Sequence, residues 1–217
     1  PSDQAAQLQL QAVRAQLAAL DSVPLEDIPI ADAIDGEILR TWLSARVLEL
    51  TQLREADWNP MLHNPGPALH ALISRDFAPL PQRLESLRGR LESIPHYLDA
   101  ARQRLTGRIP AVHARAALAQ MRGTLSLLDT AIPQVAAHAE QRGEGGAAAG
   151  LTEPLAAARD AVTGQLSWLA DLAERADGQA HLGPELFTAK LWLALDTPLD
   201  AGELLARAEA DLARITE

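Results

Sequence analysis

Hydrophobic residues recur every three or four positions along most of the chain, which is the spacing of helices that bury one face. No segment of strand length alternates between hydrophobic and polar residues. The longest regular run follows a four-three order and is called the leucine seam below: Leu80, Leu84, Leu87, Leu91, Ile94, Leu98, Ala101 and Leu105. The pattern predicts an all-α fold with roughly seven or eight mostly antiparallel helices in a bundle-like array.

The ends of the chain follow the same rhythm. A first helix is predicted over residues 3–20. A second should run from near Asp32 to near Glu55 and turn its hydrophobic residues toward a core: Ile34, Ile38, Trp42, Ala45 and Leu48. Thr197, Pro198 and Asp200 form a helix-start signature for the last helix. Its predicted inner face consists of Leu205, Ala208, Leu212 and Ile215.

Prolines and glycines predict the breaks and bends. Helices should begin at the Asn64–Pro65 pair, after Gly107 at Pro110, at Thr152 as an N-cap, and at Pro184. Pro95 predicts either a kink near Ile94 or two helices with Ser93 capping the second, and Pro133 predicts a bend. Residues 141–150 predict a flexible loop. We expect one domain over residues 1–217, with a possible subdivision at that loop.

Composition limits the class of protein. A formal net charge of −10 argues against nucleic-acid binding, and the arginines of residues 83–108 are interpreted as a solvated helix surface. There is no cysteine and no apolar run long enough to span a membrane. We expect a cytoplasmic protein. The chain starts at Pro1 without a signal-like segment; a cleaved leader or an engineered boundary would explain this equally well.

The residues alone show no catalytic group and no metal site. None of the six histidines is paired in the spacing of an HExxH zinc helix, and no phosphate-binding glycine loop follows a strand. His63 and His70 are seven positions apart with two prolines between them, which is too far to share one metal ion directly. We therefore expect no catalytic residue, no metal ligand and no cofactor within this chain.

Several short motifs nevertheless occur in a characteristic order. They are Trp58-Asn59-Pro60, Arg83-Leu84 with the leucine seam, Ile94-Pro95 before Tyr97-Leu98, Gly183 with Glu185 before Thr197, and Glu203-Leu204. From about residue 30 onward the chain thereby resembles the N-terminal half of the bacterial domain-of-unknown-function 885 family. Members of that family resemble helical zinc metallopeptidases, in which a later HExxH segment holds the metal. Nothing in this chain matches those positions.

The resemblance implies that the chain is the helical N-terminal part of a longer protein and forms one wall or lid of a substrate channel. Zinc is implied only for a complete relative. Channel-facing candidates are Trp58, His63, Asn64 and Arg75. The alternative for these residues is that Trp58 packs in the core, Asn64 caps a helix, and His63 and Arg75 are solvated.

Two functional hypotheses follow, and a third is weaker. The first is an inactive channel or lid portion, whose partner is the missing C-terminal half. Such a portion should expose an apolar face, through which it could also form a homodimer. The alternative is a stand-alone helical module for protein interaction or small-ligand binding. The third is a self-sufficient enzyme of unfamiliar type, which stoichiometric metal in the purified chain would support.

Overall fold

The computed structural model describes residues 3–143, 145–195 and 200–216. These residues contain α-helices joined by short turns and no β-strand, which confirms the predicted all-α class. The helices are α1 (Asp3–Asp21), α2 (Ile30–Leu48), α3 (Gly66–Ser74), α4 (Leu80–Arg104), α5 (Ala111–Ser126), α6 (Ile132–Gln141), α7 (Gly145–Ala149), α8 (Thr152–Arg175), α9 (Pro184–Leu195) and α10 (Ala201–Thr216). Within the described ranges, no helix is long and apolar enough to cross a lipid bilayer.

The helices belong to two compact units. The central unit comprises Ala56–Ala180 and contains α3 to α8. The terminal unit combines Asp3–Glu55 with His181–Glu217 and contains α1, α2, α9 and α10. The loop at 141–150, where a subdivision was considered, lies inside the central unit. The expectation of a single domain over the whole chain stays a prediction.

The leucine seam forms the core of the central unit. Its residues on α4 from Leu84 to Ala101 are buried, and both α4 and α5 pack against α8. The seam meets Met121, Leu128, Ile132, Val162 and Leu169 from the other helices. Each fully buried aliphatic side chain of this kind contributes about 1.5–3 kcal/mol relative to an exposed one.

Pro95 does not divide α4. The helix runs from Leu80 to Arg104 with the proline inside it, and the Ser93 hydroxyl donates to the carbonyl of Arg90 at 2.8 Å. The alternative of a second helix capped by Ser93 is therefore wrong. Leu91, Ile94 and Leu98 are buried on both sides of Pro95. Their packing offsets the hydrogen bond that proline removes.

Pro133 follows a π-helical turn, Leu127–Ala131, which joins α5 to α6 without a break. The turn closes with the amide of Ile132 donating to the carbonyl of Leu127. A proline has no N–H group for the carbonyl four residues earlier, so a regular α-helix would lose one hydrogen bond here. The π-helical turn before Pro133 changes the local hydrogen-bond pattern. Such turns are one of the known ways in which a helix accommodates an irregularity such as a missing hydrogen bond.

The predicted flexible loop is partly helical. Residues 145–149 form α7, although a loop was expected over 141–150. Alanine is the best helix former, and three alanines follow the two glycines of this segment. Ala148 and Leu151 are buried in the core of the central unit, and this packing explains why the glycines do not prevent a helix. Glu144 lies outside the described residues.

The terminal unit has a much smaller core. Helix α1 packs against α2, and α2 packs against α9. Its buried hydrophobic residues are Val13, Leu43, Leu48 and Leu53. The second helix ends earlier than predicted, at Leu48, and a π-helical turn continues to Leu53. Arg54 then adopts a left-handed conformation with φ of 44°, which ends the helical segment.

The predicted inner face of α10 is wrong, and that of α2 is right only toward its end, where Leu48 is buried as predicted. On α2, Ile34, Ile38 and Trp42 are exposed, while Leu43 is buried instead. On α10, every residue from Gly202 to Thr216 is exposed, including the predicted inner face Leu205, Ala208, Leu212 and Ile215. The hydrophobic spacing correctly identified amphipathic helices. It contains no information on whether another element covers the apolar side.

The helix starts agree only partly with the sequence. Thr197 and Pro198 lie outside the described residues, and Asp200 caps α10 by accepting from the amides of Gly202 and Glu203 at 2.8 and 3.1 Å. Thr152 is the first residue of α8 rather than its cap, and Leu151 precedes it.

Candidate functional site

The segment that carries the sequence candidates leads into α3 through two short 3-10 turns, the second over Pro60–His63. Asn59 caps this second turn, because its Oδ1 accepts from the amide of Met61 at 3.2 Å. Asn59 and Pro60 are both buried. The Trp58-Asn59-Pro60 motif therefore fixes the backbone of the segment.

An ion pair joins this segment to the end of α4. Arg104 Nε lies 3.0 Å from Asp57 Oδ1, and the two side chains are only 14% and 10% exposed. The amide of Gly107 also donates to the carbonyl of Asp57 at 3.0 Å. Gly107 thus connects the loop after α4, whose C-cap is Leu105, to the 3-10 segment.

A second arginine of the interval 83–108, Arg83, is buried, whereas Arg104 is half-buried. Arg83 donates to the carbonyls of Leu72 and Ala78 at 3.0 and 2.9 Å and to the Asp76 carboxylate at 2.8 Å. It holds the connection between α3 and α4. The interpretation of these arginines as a solvated surface is therefore wrong for Arg83 and Arg104, because each satisfies local acceptors at a chain reversal.

His63 is buried, with 3% of its surface exposed. The alternative interpretation, in which His63 is solvated, is therefore wrong. Its Nε2 lies 2.7 Å from the carbonyl of Ala56. A carbonyl only accepts, so Nε2 carries the proton and donates it. Burial lowers the pKa of His63 below its ordinary value, with the nearby Arg104 charge acting in the same direction. The neutral ring is thus held in one tautomer.

Trp58 and Arg75 lie in different surroundings. The Trp58 ring is half-buried and meets His113 edge to face, with ring centroids 5.4 Å apart and an angle of 79°. Arg75 is exposed, directly after the last residue of α3. The four candidates therefore differ in exposure: His63 is buried, Trp58 and Asn64 are half-buried, and Arg75 is exposed.

Asn64 is the candidate that borders a cleft. Its Oδ1 accepts from the amide of Gly66 at 2.9 Å and from the Thr124 hydroxyl at 2.7 Å. The first bond lies at the start of α3, whose N-cap is Pro65 and not Asn64 as predicted, and the second ties the residue before that cap to α5. At Gly66 the helices approach so closely that an added Cβ would lie 2.3 Å from Thr124 Oγ1.

The cleft beside Asn64 lies between α3 and α5 and has a volume of about 350 Å³. Its lining residues are Asn64, Gly66, Pro67, His70, Gln120, Gly123, Thr124 and Leu127. His70 and Gln120 are exposed at its surface. The cleft can offer amide and imidazole hydrogen-bonding groups to a polar ligand. Sequence reasoning missed Thr124 and Gln120, because nothing in the local pattern links residues about 60 positions apart to Asn64.

The zinc that the resemblance implies for complete relatives does not fit the groups found here. In the part of the chain that the structure describes, no three histidine, cysteine, aspartate or glutamate residues lie close enough together to hold a metal ion. We therefore derive no metal-dependent step from these residues.

The comparisons with known proteins agree with the motif order. Residues 1–217 match the family described as "Bacterial protein of unknown function (DUF885)". The chain belongs to this family. The resemblance predicted from the Trp58-Asn59-Pro60 motif and the leucine seam is thereby confirmed, and it extends over the full chain rather than from residue 30 onward.

A solved structure resembles this DUF885 chain closely. It is described as "a putative lipoprotein of unknown function from Shewanella oneidensis", with 26% sequence identity and a TM-score of 0.86. The alignment covers 99% of this chain and 40% of that chain. This DUF885 chain thus spans about two fifths of the length of its solved relative. No curated protein matches it.

Proposed function

We propose that this chain is the helical substrate-channel or lid portion of a longer zinc-metallopeptidase-like protein and is inactive by itself. The observation that carries the proposal is the exposed apolar surface of the terminal unit. Its exposed large hydrophobic residues on α2, α9 and α10 are called the uncovered residues: Ile30, Ile34, Ile38, Leu39, Trp42, Phe187, Trp192, Leu195, Leu204, Leu205, Leu212 and Ile215.

The arrangement of the uncovered residues argues for helix packing. Ile30, Ile34, Ile38 and Trp42 are spaced four positions apart, so they form one stripe along α2. The uncovered residues of α10 occupy one side of a helix whose other side carries charged residues. Soluble monomers rarely leave large apolar surfaces open to water unless these surfaces bind something. Helices with such stripes are stabilised mainly by a partner.

The length of the solved relative supports the proposal that a further part of the same protein covers the uncovered residues. Three fifths of that chain lie outside the part that this chain matches. In the proposal, the corresponding part of the complete gene product covers the uncovered residues and provides the zinc ligands and the catalytic groups. The residues described here supply a rigid helical wall around the leucine seam.

The proposal is tested by a substitution with opposite effects in two contexts. Leu212→Glu should leave the unfolding free energy of the isolated chain within about 0.5 kcal/mol, since the side chain is already exposed. It should also reduce self-association in analytical ultracentrifugation. In the complete gene product, it should lower the melting temperature by several degrees, since it would bury an unpaired charge.

Ala210→Glu is the matched control, because it lies on the opposite side of α10. It should change neither property in either context. If the complete product tolerates Leu212→Glu as well as Ala210→Glu, the uncovered residues are not a packing surface. Zinc bound stoichiometrically by the isolated chain, or peptide hydrolysis by it, would contradict the claim that this portion is inactive alone.

A further inference from the structure

A second cleft in the central unit has the form of a ligand site. It is called the α6–α8 groove and has a volume of about 590 Å³. The π-helical turn and α6 form one wall, and α7 with the first turns of α8 forms the other. Its lining includes the buried residues Leu128, Ile132, Ala148 and Leu151. Ligand pockets commonly have volumes of about 300–1,000 Å³ and a mainly apolar lining.

Small residues keep this groove open. Ala136 and Ala137 on α6 and Ala156 on α8 line it, next to Pro133. Larger side chains at these alanine positions would fill the space, as leucines do along the seam of α4. The groove also contains the π-helical turn at its Leu128 end, and such turns are frequent at functional sites.

The charged lining residues determine which ligand fits. They are Asp129, Glu140 and Arg159. Arg159 Nε lies 2.6 Å from Asp129 Oδ1, so this pair neutralises itself. Glu140 is exposed and has no ion-pair partner among the residues that the structure describes. The groove therefore combines a mixed apolar and polar lining with one uncompensated negative charge, which favours an amphipathic ligand with a single positive charge.

We propose that the α6–α8 groove binds a small amphipathic amine, with its ammonium group at Glu140 and its aliphatic body along Ala136 and Leu155. The apolar body supplies most of the binding free energy through burial. The ion pair with Glu140 selects the amine over neutral or anionic molecules of the same length. This inference concerns the central unit alone and does not depend on the proposed channel function.

Three probes of equal length test the charge preference: n-octylamine, n-octanol and octanoate. The binding of each is followed by backbone amide chemical shifts of α6 and α8 in the purified chain. n-Octylamine should bind saturably below its micelle concentration, about three- to fivefold more tightly than octanol, since an exposed ion pair contributes up to about 1 kcal/mol. Octanoate should bind most weakly. Equal or tighter binding of octanoate, or no saturable binding of the amine, overturns the proposal.

Two variants with neighbouring controls locate the ligand. Glu140→Gln should reduce amine affinity to that of octanol and leave octanol binding unchanged, whereas Glu153→Gln, exposed on α8 and outside the groove, should change neither. Ala156→Leu should abolish the shift changes for every probe by filling the groove. Ala157→Leu, also exposed but not lining it, should preserve them. Amine binding that survives Ala156→Leu, or falls equally with Ala157→Leu in folded protein, contradicts the site.

Discussion

The two units of the chain have similar hydrophobic patterns and very different burial. Helix α4 of the central unit and α10 of the terminal unit both place apolar residues every three or four positions. On α4, Leu87 and Leu91 are completely buried. On α10, Leu205 and Leu212 are 60% and 64% exposed. The pattern that defines a helix face is thus the same, and only the presence of a covering element differs.

The whole units differ in the same way. Among the described residues, the exposed large hydrophobic residues of the central unit are Leu62, Phe77 and Val112, and all the others lie in the terminal unit. Most of the buried hydrophobic residues, in contrast, lie in the central unit. The central unit therefore carries its own core. The terminal unit leaves many of its large hydrophobic residues exposed to water.

The first prediction compares one leucine from each unit and has the largest expected effect. Leu91→Ala should lower the free energy of unfolding by about 2–5 kcal/mol, because it leaves a cavity in the leucine seam. Leu212→Ala should change it by less than about 0.5 kcal/mol, because its side chain is already in water. Urea unfolding followed by circular dichroism measures both. Equal losses would show that the two helices are covered alike in solution.

The sequence predicted the central unit better than the terminal unit for a physical reason. The positions of the leucine seam were assigned to a core, and those from Leu84 to Ala101 are buried on α4. Ile38 and Leu205 were assigned to a core by the same rule and are exposed. A periodic pattern identifies which side of a helix is apolar. It does not record which segment covers that side.

The candidate site shows a second limit of the sequence. The helix start at Asn64–Pro65 was predicted to within one residue, because an asparagine followed by proline is a local signal for the start of a helix. The bond from Thr124 to Asn64 was not predicted, because it depends on how α3 and α5 pack. The burial of His63 and Arg83 was missed for the same reason. Polar residues can be buried wherever the fold supplies partners, and the sequence alone does not show those partners.

The second prediction compares one ion pair from each unit. Arg104→Met should cost about 3 kcal/mol, because it removes one partner of an ion pair whose two side chains are largely buried. Lys190→Met removes the partner of Glu55 in the terminal unit, where Nζ and Oε1 are 3.3 Å apart and the side chains are 49% and 32% exposed. That loss should be at most about 1 kcal/mol. Thermal unfolding of both variants measures the two losses. An equal decrease in melting temperature would contradict the prediction.

The third prediction tests the close approach of α3 and α5. Gly66→Ala should destabilise the chain by about 1–3 kcal/mol, because its Cβ would meet Thr124 Oγ1. Gly89→Ala on α4 is the control, since a Cβ there meets nothing within 4 Å. Alanine favours the helix over glycine by about 1 kcal/mol, so the control should be stabilised. Adding Thr124→Ala to Gly66→Ala should restore part of the loss. Strict additivity in urea unfolding would show that the two residues do not interact.

The smallest expected effect is a pH dependence that only the central unit should show through His63. Burial lowers the pKa of His63 below 6.5, so the folded chain keeps the ring neutral at a pH where the unfolded chain protonates it. The unfolded state then binds more protons, and stability falls as the pH decreases. The stabilisation is complete above about pH 6.5 and is lost as the pH falls toward the folded pKa.

Replacing His63 by glutamine should remove this contribution to the pH dependence, because an amide does not titrate and can still donate to the carbonyl of Ala56. We expect the difference in unfolding free energy between pH 7.5 and pH 5.5 to be smaller in His63→Gln than in the parent chain. One titrating group can change the slope by at most about 1.4 kcal/mol per pH unit. His181→Gln removes an exposed histidine of the terminal unit and serves as the control. The opposite result would be a pH dependence that becomes smaller in His181→Gln and stays unchanged in His63→Gln. That result would assign the pH sensitivity to the terminal unit. The buried ring would then not be the group that links protons to folding.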